Sequence, residues 1–189
     1  MHHLKTSTQL KVNRVIITGG PSTGKTSLIY KLENIGYNCI HETSREIIQE
    51  SLANNSDVLP WKDLMKFSQK VIDTRKEHYH SVKSKNAGNF TFFDRGIPDV
   101  FAYMNHDEVE VPKAFLDLKK LRYHSKVFLA PAWKEIFEND NERVEDFTKA
   151  VRLQQFIHDT YEELGYQVIL IPKGTVESRI KFILNHLDE

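Results

Sequence analysis

Short runs dense in β-branched and aromatic residues alternate along this chain with longer stretches in which apolar positions recur every three or four residues. The first pattern is that of a buried strand and the second that of an amphipathic helix. Strands are predicted over residues 12–18, 37–41, 90–93, 126–129 and 167–171. Helices are predicted over 25–34, 43–52, 60–82, 98–104, 112–121, 144–164 and 176–187, with Gly36 stopping the first of them. In the helix opened by Pro60, residues Trp61, Leu64, Met65, Val71, Ile72, Tyr79 and Val82 fall at helical spacing, which leaves the Lys, Asp and Arg positions to solvent. Such alternation demands a parallel sheet with right-handed crossovers and helices on both faces. The expected class is therefore α/β, a three-layer fold around five parallel strands.

Composition narrows this picture. A chain of 189 residues fills one core and is too short for two comfortable domains. Residues 1–11, with His2 and His3, read as a disordered tail, and 12–189 as a single domain. Lys plus Arg number 26 and Asp plus Glu 26, a net charge of +0. That balance lacks the basic excess of a dedicated nucleic-acid binder. Cys39 is the single cysteine, so neither an internal disulfide nor a cysteine-held metal is expected, and a reducing cytoplasmic compartment fits. No apolar run is long enough to span a bilayer, so no membrane partner is expected. The expected state is a monomer or homodimer.

The clearest chemistry lies between the first strand and the first helix. Gly19-Gly20-Pro21-Ser22-Thr23-Gly24-Lys25-Thr26 matches the phosphate-loop pattern G-x-x-x-x-G-K-[ST] in full, with Ser27 following it. Gly19 and Gly24 permit backbone angles that let successive amides turn inward, and the positive end of the next helix reinforces that anion nest. Lys25 is expected on the β- and γ-phosphates and the Thr26 hydroxyl on Mg²⁺. The strand run thus belongs to a P-loop nucleotide-binding fold. The base-reading N-K-x-D motif of GTP binders does not occur, which favours ATP.

Carboxylates and arginines follow two further strands. In Phe93-Asp94-Arg95-Gly96 an apolar strand ends on Asp94, at the sheet edge where open α/β folds bind ligands. Asp94 is expected to hold Mg²⁺ and Arg95 a substrate group; the competing reading is an Asp that caps the next helix. In His41-Glu42-Thr43-Ser44-Arg45, Glu42 is a candidate base for an acceptor hydroxyl and Arg45 a candidate acceptor ligand, while His41 reads as structural. Against that stands a capping box between Thr43 and Glu46. A charged stretch over 138–145, within a lid at about 131–152, offers Arg143 as the arginine that meets the transferring phosphoryl group, with Arg152 second. Pro172 and Lys173, after the last strand, are candidates to pack on adenine.

The segments GGPSTGKTSL, HETSREI, FFDRGIPD and YEELGYQVILIP, with the VESRIKFIL helix, resemble the small AAA-type P-loop proteins related to the kinase domain of ribosylnicotinamide kinases, and more distantly deoxynucleoside kinases. The likeness runs from Val12 onward. Its E-x-x-R falls on Glu42 and Arg45, its D-R pair on Asp94 and Arg95, and its lid arginine on Arg143. The resemblance implies a nucleoside-monophosphate-kinase-like fold with a helical lid, ATP and Mg²⁺ as ligands, and a small-molecule phosphate acceptor. The leading expectation is a phosphotransferase acting on a hydroxyl of a nucleoside, a vitamin-like compound or another small metabolite. A regulatory ATPase switch and a hydrolase of organic triphosphates are the alternatives.

Overall fold

The computed structural model describes residues 12–82, 90–137 and 147–188. The tail over 1–11, with His2 and His3, and the charged stretch with Arg143 lie outside the described residues. Five strands form one sheet: β1 (Asn13–Thr18), β2 (Asn38–Ile40), β3 (Phe90–Asp94), β4 (Lys126–Leu129) and β5 (Gln167–Leu170). Their order is β2-β3-β1-β4-β5 and every neighbouring pair is parallel. The expected α/β class and five-stranded parallel sheet are both present. All five C-terminal strand ends therefore share one edge, and the strand order reverses about β1.

Helices α1 (Lys25–Asn34), α2 (Ser44–Ala53), α3 (Leu64–Ser81), α4 (Ile97–His106), α5 (Lys113–Leu116), α6 (Phe147–Glu163) and α7 (Val176–Leu187) complete the described fold. Strand β1 is buried on both faces, as a central parallel strand must be. Val15 and Ile17 pack with Leu28, Leu32, Ile180 and Ile183 of α1 and α7. Ile16 packs the opposite way, with Leu153, Ile157 and Tyr161 of α6. A third cluster joins α2, α3 and α4 through Ile48, Phe67, Val71, Ile97 and Phe101. No described helix is long and apolar enough to cross a membrane.

Several expectations need correcting. Helix α3 begins at Leu64, not Pro60, because Asp63 caps it: its carboxylate accepts from the Lys66 N–H at 2.9 Å. Trp61 and Met65, placed with the apolar face, are 55% and 39% exposed. Arg75, assigned to solvent by its charge, is buried on the same helix because a carboxylate and a carbonyl receive its guanidinium. The stretch 112–121 is the single turn α5 followed by a 3-10 turn, Asp117–Lys120. No Thr43–Glu46 capping box forms; Thr43 makes no side-chain cap, and Glu42 takes the first amides of α2 instead.

Candidate active site

The phosphate loop follows directly from β1. Gly19 has φ 143° and Gly24 φ 78°, conformations that favour glycine. A side chain at Gly19 would collide with the Ala130 carbonyl at the end of β4, so the loop can sit against that strand only without one. Lys25 is buried beneath the loop, where its Nζ donates to the Gly20 carbonyl at 2.6 Å and to Thr23 Oγ1 at 3.1 Å. Burial, helped by the Arg95 charge, pulls the Lys25 ammonium down to about 7 against the opposing pull of Asp94, Glu42 and Asp99. Thr26 and Ser27 are exposed on the first turn of α1.

Strand register sets the carboxylates beside this loop. Asp94 pairs with Ile17 across β1 and β3, and the Arg95 N–H donates to the Ile17 carbonyl at 3.0 Å. Asp94 is 5% exposed, and its Oδ1 has no hydrogen-bond partner among the described residues. Burial raises its pKa, and the Lys25 charge opposes that. An orphaned carboxylate oxygen next to the phosphate loop and the exposed Thr26 hydroxyl make an oxygen donor set that fits Mg²⁺.

Arg95 turns back with φ 73° and joins a network of four charges, of which Arg75, Arg95 and Asp99 are buried and Glu42 is half-buried. Its Nε donates to Glu42 Oε2 and its Nη1 lies 3.4 Å from Asp99 Oδ1. Arg75 reaches in from α3, donating to Glu42 Oε1 at 3.0 Å and to the Gly96 carbonyl at 2.7 Å. Glu42 Oε1 also accepts the Thr43 and Ser44 N–H groups at 3.0 and 2.9 Å. Burial alone would raise the Glu42 pKa, but the Arg75 and Arg95 charges and the Ser44 amide overcome it and hold the carboxyl far below its usual range. Asp99 is fully used: Thr18 Oγ1 donates to its Oδ1, while the Tyr161 hydroxyl (2.6 Å) and the Gly96 N–H (2.8 Å) donate to Oδ2.

This network forms one wall of a cavity of about 380 Å³. Phe67, Val71, Val100 and Leu153 give it apolar sides, and the exposed Trp61 stands at its rim. Arg45 does not line the cavity; it is exposed on α2, and Arg75 occupies the position expected of it. His41 lies outside as well, 3.2 Å from Glu33 and against the Tyr30 ring. Arg152 is directed at Glu108, 3.6 Å away, and Arg143 lies outside the described residues.

At the other end of the loop, Lys173 is exposed and sits 5.9 Å from the centre of the Trp133 ring. Arg179 of α7 lies at the same distance from that ring and donates to the Thr23 carbonyl at 3.1 Å. Arg75, Trp133 and Arg179 were not picked out from sequence. Arg179 sits in the VESRIKFIL helix already noted, and only the charge on an otherwise apolar helix face marked it.

A family model described as an AAA domain matches residues 14–179. No curated protein sequence matches the chain. Among solved structures, deoxyadenosine kinase from M. mycoides with bound dATP is similar at a TM-score of 0.67 and 15% identity, covering 94% of this chain and 100% of that one. NadR protein in complex with NR is similar at a TM-score of 0.65 and 18% identity over 94% of this chain and 52% of that chain. Shikimate kinase from Acinetobacter baumannii in complex with shikimate gives a TM-score of 0.59 and 16% identity, with 94% of each chain covered. The likeness to these structures is one of fold.

Proposed function

Since the chain belongs to this AAA-domain family, we propose that it is an ATP-dependent phosphotransferase that moves the γ-phosphate of Mg-ATP to a hydroxyl of a small metabolite. The observation that carries this reading is the cavity wall. Glu42 faces a half-open, largely apolar space beside a phosphate loop, and both neighbouring guanidiniums are already committed to carboxylates. The two arginines and two carboxylates cancel in charge, so the wall suits a neutral alcohol better than an acceptor that is itself a phosphate. The kinases of deoxyadenosine and shikimate that share the fold act on small molecules, which supports the reading.

In this scheme the amides of residues 19–26 and the Lys25 ammonium cradle the polyphosphate. Thr26 and Asp94 would hold magnesium, which when bound neutralises part of the charge on the terminal phosphates. Glu42 accepts a hydrogen bond from the acceptor hydroxyl and aims its oxygen at the γ-phosphorus. An acceptor O–P bond forms, the bond from the γ-phosphorus to the bridging oxygen breaks, and ADP departs. The hydroxyl becomes strongly acidic only as its new bond forms, so a fixed, weakly basic carboxylate suffices to take the proton and pass it to solvent. Arg143 is the candidate to meet the charge on the transferring group. Trp133 and Lys173 are the candidates to pack on the base.

The test is a screen of nucleosides, vitamins and other small alcohols for ADP release with Mg-ATP, with product mass as the second readout. One compound that raises turnover far above the acceptor-free rate, with a mass gain of one phosphate, is the expected result. ADP release that no compound stimulates would sink the reading and leave a hydrolase or switch.

A further inference from the structure

We propose that Arg75 is a positioning residue for this transfer: its guanidinium ties Glu42 to the Gly96 carbonyl and so fixes the carboxylate that receives the acceptor hydroxyl. The proposal rests on the reading of Glu42 given above. The two groups that Arg75 joins belong to different crossovers, since Glu42 follows β2 and Gly96 follows β3. One planar cation with its Nη1 on one loop and its Nη2 on the other sets their separation, which a point charge cannot do. Arg75 is itself held by the middle of α3, where Val71 and Ile72 anchor the helix in the core. It also lines the cavity, so its effect is exerted at the acceptor's own wall.

Among the described residues, the charged groups that act on Glu42 come from several elements, and Lys149 and Asp107 line the same cavity. Arg75 reaches it from α3 and Arg95 from the β3–α4 turn; Lys25 acts from α1, Asp94 from the end of β3 and Asp99 from α4. The Thr43 and Ser44 amides complete the shell. A purely architectural salt bridge would be replaceable by packed apolar side chains with little loss. Here replacement would leave the half-buried Glu42 with Arg95 as its one bonded cation among the described residues.

The experiment titrates the Glu42 carboxyl carbon by NMR in ¹³C-glutamate-labelled wild type, Arg75→Lys and Arg75→Met, the resonance being assigned with Glu42→Gln. Steady-state kinetics are run on the same proteins. In wild type the Glu42 resonance should not titrate above the acid limit of folding. In Arg75→Lys its midpoint should move up toward the ordinary value of 4.5, and in Arg75→Met further. The acceptor kcat/KM should fall roughly tenfold in the lysine variant and roughly a hundredfold in the methionine variant, with the KM for ATP changed less than about twofold. A wild-type titration in Arg75→Lys, or equal losses for ATP and acceptor, would overturn the proposal. Should Arg75→Met fail to fold, the lysine variant decides. A shifted titration with no acceptor ever turned over would sink the kinase reading and leave the Arg75–Glu42 linkage standing.

Discussion

The phosphate loop and the inner wall of the proposed acceptor cavity lie side by side at one sheet edge, yet they are built by opposite means. The loop is a contiguous run, residues 19–26, and its binding groups are mostly backbone amides whose direction is set by two glycines with positive φ. The cavity wall gathers Glu42, Arg75, Arg95 and Asp99 from separate places in the chain, and side chains make its surface. The first holds charge by dipoles that need no counter-ion. The second holds charge by pairing it, so that its four ions present little net charge to a ligand. Under the proposed function a polyphosphate and a neutral alcohol make different demands, and the two regions would answer them separately.

That division can be broken first at the loop. Lys25→Ala should reduce phosphoryl transfer roughly a thousandfold, because it removes the one loop cation aimed at the transferring group; steady-state turnover at saturating ATP measures it. Glu42→Gln should lower transfer roughly a hundredfold while leaving the Kd for Mg-ATP within about twofold, as calorimetry would record. Equal damage to nucleotide binding would mean that the two regions are not separable.

Proton linkage sharpens the contrast. Lys25 is held down to about 7 in the folded protein from 10.5, so between those values the unfolded chain binds more protons and stability rises with pH. A bound polyphosphate restores the ammonium, and nucleotide binding at pH 8 should therefore take up about one proton, visible as a buffer-dependent binding enthalpy. Glu42 is also held below its ordinary value, by the Arg75 and Arg95 charges, and stays ionised throughout that range, so it should contribute nothing to the uptake. The smallest effect is expected at Arg45: Arg45→Ala should change acceptor kcat/KM by less than about threefold, because that side chain is exposed and does not line the cavity.

The same division explains what the sequence could disclose. The strand pattern and the loop are local, and the extents of α1, β4 and α7 follow from periodicity and capping residues alone. Asp94 was legible for the same reason, as the polar end of an apolar strand. Arg75 was not, because helical periodicity sorts residues by polarity and sends arginine outward; only the distant carboxylate that neutralises it reverses the sign. Arg45 was misplaced by the same blindness. It is three residues from Glu42 in sequence, but α2 begins at Ser44 and its rotation carries Arg45 to the outer face. Arg179 meets the loop, and Trp133 meets Arg179, only because β4 ends beside β1 and β5 beside β4, a fact of topology that no local window contains.

The chain's two tryptophans stand one at each end of this machinery, Trp61 at the cavity rim and Trp133 near the arginine that braces the phosphate loop. Their surroundings differ, since Trp61 is 55% exposed while Trp133 is half-buried between two cations. The native protein therefore carries two separate optical reporters. With one indole replaced by phenylalanine, the emission of the other follows a single ligand, so the order in which the two substrates arrive can be timed without any attached dye.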